Sequence, residues 1–242
     1  MSYTVCETEG KNALRREMLD QRRKRKMKKE SSSRRDVFVR QSSSGPVEVS
    51  ASGLRISQLR QVPVAGSITP ENVEWVITQC ELLIREDAQR PITLFISSPG
   101  GSIDAAYHLI DYMEAAPVAF IAVASETCAS AAAQIFASVE KGCRLVMKHA
   151  RIMIHKPLVR PDDYLNSTSL KSISEMLDET ERFLYEDLAE WTGQTLSRIE
   201  KDCEKETWLK GEEAVKYGIA DALYSYDAYR ELLKSCISGA AY

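Results

Sequence analysis

Residues 92–115, ITLFISSPGGSIDAAYHLIDYMEA, decide the fold. The run 92–97 is short, apolar and rich in β-branched residues, which predicts a buried strand. Ser98-Pro99-Gly100-Gly101-Ser102 then reads as a tight turn, and Ile103, Ala106, Tyr107, Ile110 and Met113 recur with the 3.6-residue period of a helix buried on one side. A strand that turns straight into a helix, when repeated, produces parallel strands joined by right-handed crossovers.

The unit does repeat. Upstream, VPVAG at 62–66 precedes a helix that starts at Thr69-Pro70-Glu71, with Thr as N-cap, Pro at the first helical position, and Val73, Val76, Ile77, Cys80, Leu83 and Ile84 on one face. Downstream come the strand VAFIAVA at 118–124, an Ala-rich helix starting at Ser130, and short apolar runs at 144–147 and 152–154. A long helix is predicted from about Ser169 to Trp191, with Leu170, Ile173, Leu177, Phe183, Leu184, Leu188 and Trp191 as its apolar stripe and Gly193 as its stop. Further helices from Thr195 and around Glu212–Tyr217 precede a short strand near Ile219–Leu223. The fold class is α/β.

Working outward, the 242 residues are 44% hydrophobic and 28% charged, with 11 Gly and 8 Pro, which excludes collagen-like, low-complexity and wholly disordered classes. Residues 1–40 hold 13 Lys and Arg against 6 Asp and Glu, a net of +7, so residues 41–242 carry −10 of the chain's total of −3. We read 1–50 as a basic arm, flexible or weakly helical, and 51–242 as one domain. No aromatic residue interrupts the basic cluster 11–35, so a solvated extension is preferred to a nucleic-acid-binding one. The first 30 residues are charged throughout and have no apolar core, unlike a secretory signal.

Residues 115–139 contain one charge, Glu126, over a length that would cross a bilayer. Pro117 and Ser125-Glu126-Thr127 divide the stretch into a short strand and a short helix, so no membrane span is expected. Six scattered cysteines, at 6, 80, 128, 143, 203 and 236, show neither C-x-x-C nor zinc-finger spacing. They predict reduced thiols and a cytoplasmic location rather than a disulfide framework.

G-x-G-x-x-G, Walker, H-E-x-x-H and G-x-S-x-G motifs are all absent from the sequence. What remains is more particular. The turn 98–102 would present backbone N–H groups at a helix start, a place suited to an anion or an oxyanion. Ser130 lies after a strand and among small residues, where a substrate backbone can approach a hydroxyl. His155 ends the apolar run 151–154, a strand end from which an imidazole can reach a cleft. His108, four residues after Asp104 and three before Asp111, fits a helix-surface ion pair better than a metal site.

Five segments in order, LFISSPGGSIDAAYHLIDYM, ASAAAQIFASVEKGCR, RIMIHKPL, LAEWTGQTLSRIEKD and EEAVKYGIADAL, resemble the proteolytic subunit of the Clp protease over about residues 60–225. The resemblance implies the spiral of ββα units that this family shares with crotonase-like enzymes, with a protruding handle at about 158–191. It implies a serine endopeptidase of unfolded polypeptides, assembled into rings that are stacked heptamers, fed by a separate AAA+ unfoldase that uses the ATP. No metal or organic cofactor is implied. Ser130 corresponds to the nucleophile, His155 to its base, Gly100, Gly101 and Ala131 to the oxyanion donors, and Glu206 to the carboxylate of the triad, with Asp202 and Glu204 as neighbouring candidates. Two departures stand out: where the family has G-x-A-A-S-M-G, residues 126–132 read ETCASAA, and the triad Asp is replaced by Glu206. The alternatives are a non-catalytic scaffold subunit of a mixed ring and a crotonase-like acyl-CoA enzyme, which would use carboxylates and needs no Ser-His pair.

Overall fold

The computed structural model describes residues 37–42, 45–158 and 166–238. It divides into two compact units, Met1–Arg55 and Ile56–Tyr242. In the first, β1 (Val37–Ser42) and β2 (Gly45–Ser50) pair antiparallel, Val37 opposite Ser50 and Ser42 opposite Gly45. Part of the arm, expected to be flexible or weakly helical, is therefore a pair of strands, because Val37, Phe38, Val39, Val47 and Val49 give it strand propensity. The basic cluster 11–35 lies outside the described residues. Helix α1 spans Ala51–Leu59.

In the second unit, β3 (Gln61–Ala65), β4 (Ile92–Ser98), β5 (Phe120–Ala129), β6 (Arg144–Val146) and β9 (Ala222–Leu223) form parallel neighbours in that order. Helices α2 (Pro70–Glu86), α3 (Ile103–Ala115) and α4 (Ala131–Ser138) connect them; Thr69 caps α2 as the sequence predicts and Ser102 caps α3, their side chains accepting from the N–H groups of Asn72 and Ala105. The core is continuous from Val62 and Val64 through Ile92, Leu94 and Ile96 to Ile121 and Val123, with Leu109, Ile135 and Phe136 covering the sheet.

Strand β5 is longer than predicted. Its first half pairs with β6 at 122–124 and its second half with β7 (Arg151–Ile154) at 127–129. Ser125-Glu126-Thr127 does not break the strand, as its polarity suggested; it marks the change of partner, where β4 also bulges between Ile96 and Ser98. Strand β8 (Thr207–Lys210) adds antiparallel to β7, a pairing the sequence reading missed.

The predicted long helix is α5 (Ser167–Thr192), ended by Gly193 at φ 73°, a left-handed conformation that glycine adopts at low cost. Its two ends differ. Leu184, Tyr185 and Leu188 are buried in the subunit's own core, whereas Leu170 and Met176 are exposed. The stripe is therefore not one external surface: Leu184 and Leu188 belong to the interior, while Leu170, Met176 and Phe183 remain exposed.

One buried ion pair holds the base of α5. Arg144, 1% exposed, meets Asp221 at 2.6 Å and donates to the Trp191 carbonyl at 2.7 Å. Removing Asp221 would leave the buried Arg144 guanidinium without its carboxylate, at a cost of roughly 3–5 kcal/mol. The remaining elements are α6 (Leu196–Cys203), α7 (Gly211–Tyr217) and α8 (Tyr226–Ser238).

Candidate active site

The parallel register between β5 and β7 builds the site. Ala129 sits opposite Met153, so the next residue on one strand and the second on the other emerge side by side at the strand ends. The Ser130 N–H continues the ladder by donating to the Met153 carbonyl at 2.8 Å, and Ser130 Oγ lies 2.8 Å from His155 Nε2. At this point the chain changes from strand to helix within one residue. Ser130 takes φ 58° and ψ −128°, an arrangement costing about 1–3 kcal/mol for a residue with a Cβ. Strain of this kind persists only where its surroundings enforce it, and here it raises the hydroxyl clear of the helix start.

The glycine turn packs against the same corner. A Cβ on Gly100, at φ 95°, would come within 2.6 Å of the Ala129 carbonyl and of Ser130 Cβ, and within 3.1 Å of the Ala131 nitrogen. Only glycine allows that approach. The Gly100 N–H donates to Ser98 Oγ at 3.1 Å and is thereby occupied. Neither Gly101 nor Ala131 donates its N–H to another described residue, so two of the three expected donors are unoccupied.

The carboxylates separate. Asp202 accepts from Arg198 Nε at 2.5 Å and from Tyr217 Oη at 3.0 Å, so it is committed elsewhere. Glu204 is exposed and its charge acts on Lys156 and Tyr185. Glu206 is the one whose charge reaches His155. It is brought there by the Lys156 N–H, which donates to the Cys203 carbonyl at 2.8 Å and ties the end of α6 to the segment after His155. No hydrogen bond joins Glu206 to the imidazole; its Oε2 accepts from Trp208 Nε1 at 3.2 Å instead. Trp208, itself under the Arg151 guanidinium at 5.3 Å, is a residue the sequence reading missed because four half-exposed residues of an added strand carry no distinctive pattern.

Burial lowers the His155 pKa below its ordinary value of 6.5, and the Glu206 charge opposes that shift. That direction favours the neutral imidazole, the form that can accept a proton. Glu126, the departure four residues before Ser130, accepts from Ser97 Oγ at 3.0 Å and is exposed. His108 lies exposed on α3, and among the described residues no cluster of His, Cys, Asp and Glu could hold a metal ion. No helix among them is long and apolar enough to cross a membrane.

Comparison with known proteins adds the family to which the chain is similar. The family described as Clp protease matches residues 48–227. The chain is 34% identical over 157 residues to ATP-dependent Clp protease proteolytic subunit 2 of Prochlorococcus marinus, covering 62% of this chain and 75% of that one. It is 31% identical over 167 residues to proteolytic subunit 1 of Corynebacterium jeikeium, covering 69% and 88%. To proteolytic subunit 1 of Mycobacterium tuberculosis it is 32% identical over 167 residues, covering 69% and 82%.

Proposed function

The chain belongs to the Clp protease family and is a serine endopeptidase, and from that premise we propose that Ser130 is its nucleophile and His155 its base. The observation that carries the proposal is the 2.8 Å approach of Ser130 Oγ to His155 Nε2 at a strained strand-to-helix corner. The hydroxyl donates to the unprotonated Nε2; as Oγ attacks a peptide carbonyl, the proton passes to the imidazole, and the oxyanion is held by the N–H groups of Gly101 and Ala131. The imidazolium then gives that proton to the departing amine, and water removes the acyl group by the same route. Glu206 stabilises the imidazolium by its charge.

We further place the active chain in rings, stacked heptamers by the family resemblance, whose closed chamber admits unfolded polypeptides passed on by a separate AAA+ partner. The relatives' names call them ATP-dependent. Support within this chain is the uncovered apolar end of α5, Leu170 and Met176 with the half-buried Ile173 and Leu177, a surface that a facing ring would bury. The free state of Cys80, Cys128, Cys143, Cys203 and Cys236 suits a cytoplasmic setting. The scaffold alternative is disfavoured because a degenerate subunit has no reason to retain the Ser130–His155 contact.

The test is a serine-directed fluorophosphonate: the assembled protein is expected to carry one adduct, on Ser130, and to hydrolyse unstructured peptides. An assembled protein that neither labels at Ser130 nor cleaves peptides overturns the proposal.

A further inference from the structure

Two cysteine side chains, 93 positions apart in the sequence, touch each other in the fold. Cys143 lies one residue ahead of β6 and is buried; Cys236 stands on α8, half-buried, and packs with Leu232 and Leu233 against the core. Both are free thiols, and their side chains hydrogen-bond to one another. The main chain holds Cys143 in place: its N–H donates to the Glu140 carbonyl and its carbonyl accepts from the Ala122 N–H, each at 2.9 Å. Two small apolar side chains would pack here as well. What two thiols in contact add is the capacity to form a bond.

The contact makes the two sulfurs unequal. The Cys143 S–H donates to the Cys236 sulfur, which stabilises a thiolate there and lowers the Cys236 pKa to about 7, against the opposing effects of burial and of the Glu140 charge. The same hydrogen bond, together with burial, keeps Cys143 protonated. Cys80, Cys128 and Cys203 are buried, and burial raises the pKa of each. Among the described cysteines Cys236 therefore combines thiolate character with exposure, and Cys143 stands beside it as a resolving thiol, the arrangement of a peroxide-sensitive pair. The steps balance. The Cys236 thiolate attacks one oxygen of a hydroperoxide: an S–O bond forms, the O–O bond breaks, and the departing oxyanion takes up the proton that Cys236 released. The Cys143 sulfur then attacks the sulfenic sulfur of Cys236: the S–S bond forms, the S–O bond breaks, and the departing hydroxide leaves as water with the Cys143 proton. Two thiols lose two electrons and the peroxide gains them.

We propose that Cys143 and Cys236 form a reversible oxidation site for hydroperoxides, whose disulfide clips α8 to the loop ahead of β6. In the test, the native full chain is treated with hydrogen peroxide, alkylated, and digested with trypsin without reduction. Trypsin cuts after Lys141, Arg144 and Lys234, so the expected product is Gly142–Arg144 joined to the peptide that starts at Ser235, and dithiothreitol should separate the two. Free Cys236 should disappear about tenfold faster, or more, than free Cys80, Cys128 or Cys203. In Cys143→Ser the sulfenic acid has no resolving thiol, and dimedone should label it on Cys236. In Cys236→Ser, a change at a half-buried position, Cys143 should keep its thiol. Peroxide that leaves both thiols free in the wild type, or that links Cys236 to Cys6 or to a second chain in preference to Cys143, overturns the inference, and does so even if neither variant folds. A Cys143 that is oxidised in Cys236→Ser as fast as in the wild type also overturns it. None of these readouts requires peptide hydrolysis, so the outcome is independent of the assignment of Ser130.

Discussion

The two halves of the candidate triad are built to different standards. Ser130 and His155 are placed by sheet register: paired strands fix Ala129 against Met153, a main-chain bond fixes Ser130, and a 2.8 Å contact results without any further adjustment. Glu206 stands at an exposed position between α6 and β8, its oxygen on Trp208 rather than on the imidazole, and it acts across space by charge. A geometry carried by a ladder is rigid, whereas one carried by a loop depends on what the loop touches. The Ser130–His155 contact is therefore formed within the single chain, and the carboxylate is the part whose placement depends on its local setting.

The largest effects should come from the rigid half. Ser130→Ala and His155→Ala are each expected to lower kcat by about 10⁶, since neither residue replaces the other's role. Thermal unfolding should show both variants folded. Peptide hydrolysis near the wild-type rate in either one would break the comparison at its stronger side.

Glu206→Ala should cost less. A triad aspartate hydrogen-bonded to its histidine is worth about 10⁴ in kcat, and Glu206 lacks that bond in this structure. An exposed charge acting at a distance is expected to contribute about 10² instead. A loss near 10⁴ would mean that the loop closes onto His155 during turnover; an unchanged kcat would remove Glu206 from the mechanism. Asp202→Ala, by contrast, should act through stability, because its carboxylate serves Arg198 and Tyr217.

A second contrast lies along α5. Leu177→Asp should separate assembled rings and leave the subunit folded, whereas Leu184→Asp places a charge in a core position that is 4% exposed and should unfold the chain. Sedimentation and thermal melting distinguish the two. A folded, assembled Leu177→Asp would show that the uncovered end of α5 is not a ring contact.

These contrasts also show where sequence was sufficient. Strands β3, β4 and β6, helices α2 and α3, their caps, and the end of α5 at Gly193 were legible because periodicity, N-cap chemistry and a C-terminal glycine are local signals. Ser130 and His155 were legible as candidates through their setting in apolar strand ends. What could not be read was anything decided by contact at a distance. The split of the α5 stripe depends on which turns meet α4. Ser98 occupies the Gly100 N–H, and no spacing rule encodes a side chain turning back on its own loop. Strand β8 exists only because β7 offers an edge.

The smallest predicted effect is the most discriminating, because it reads the two halves of the site together. His155 must be neutral to accept the serine proton, so kcat/KM is full above its pKa and is lost as pH falls through it. Burial lowers that pKa, which places the acid limb of wild-type activity below 6.5. The Glu206 charge raises it, so Glu206→Gln removes an attraction to the imidazolium and should move the limb to still lower pH as the plateau rate falls. Trp208→Phe releases Glu206 Oε2 from the indole N–H and should move the limb the other way, toward 6.5, with only a few-fold change in rate. Opposite displacements in the two variants would establish that Glu206 acts on His155 through its charge. A limb that stays in place in both, measured on assembled protein with the same peptide, would mean that burial alone sets the base, and that the loop carrying Glu206 plays no part in proton transfer.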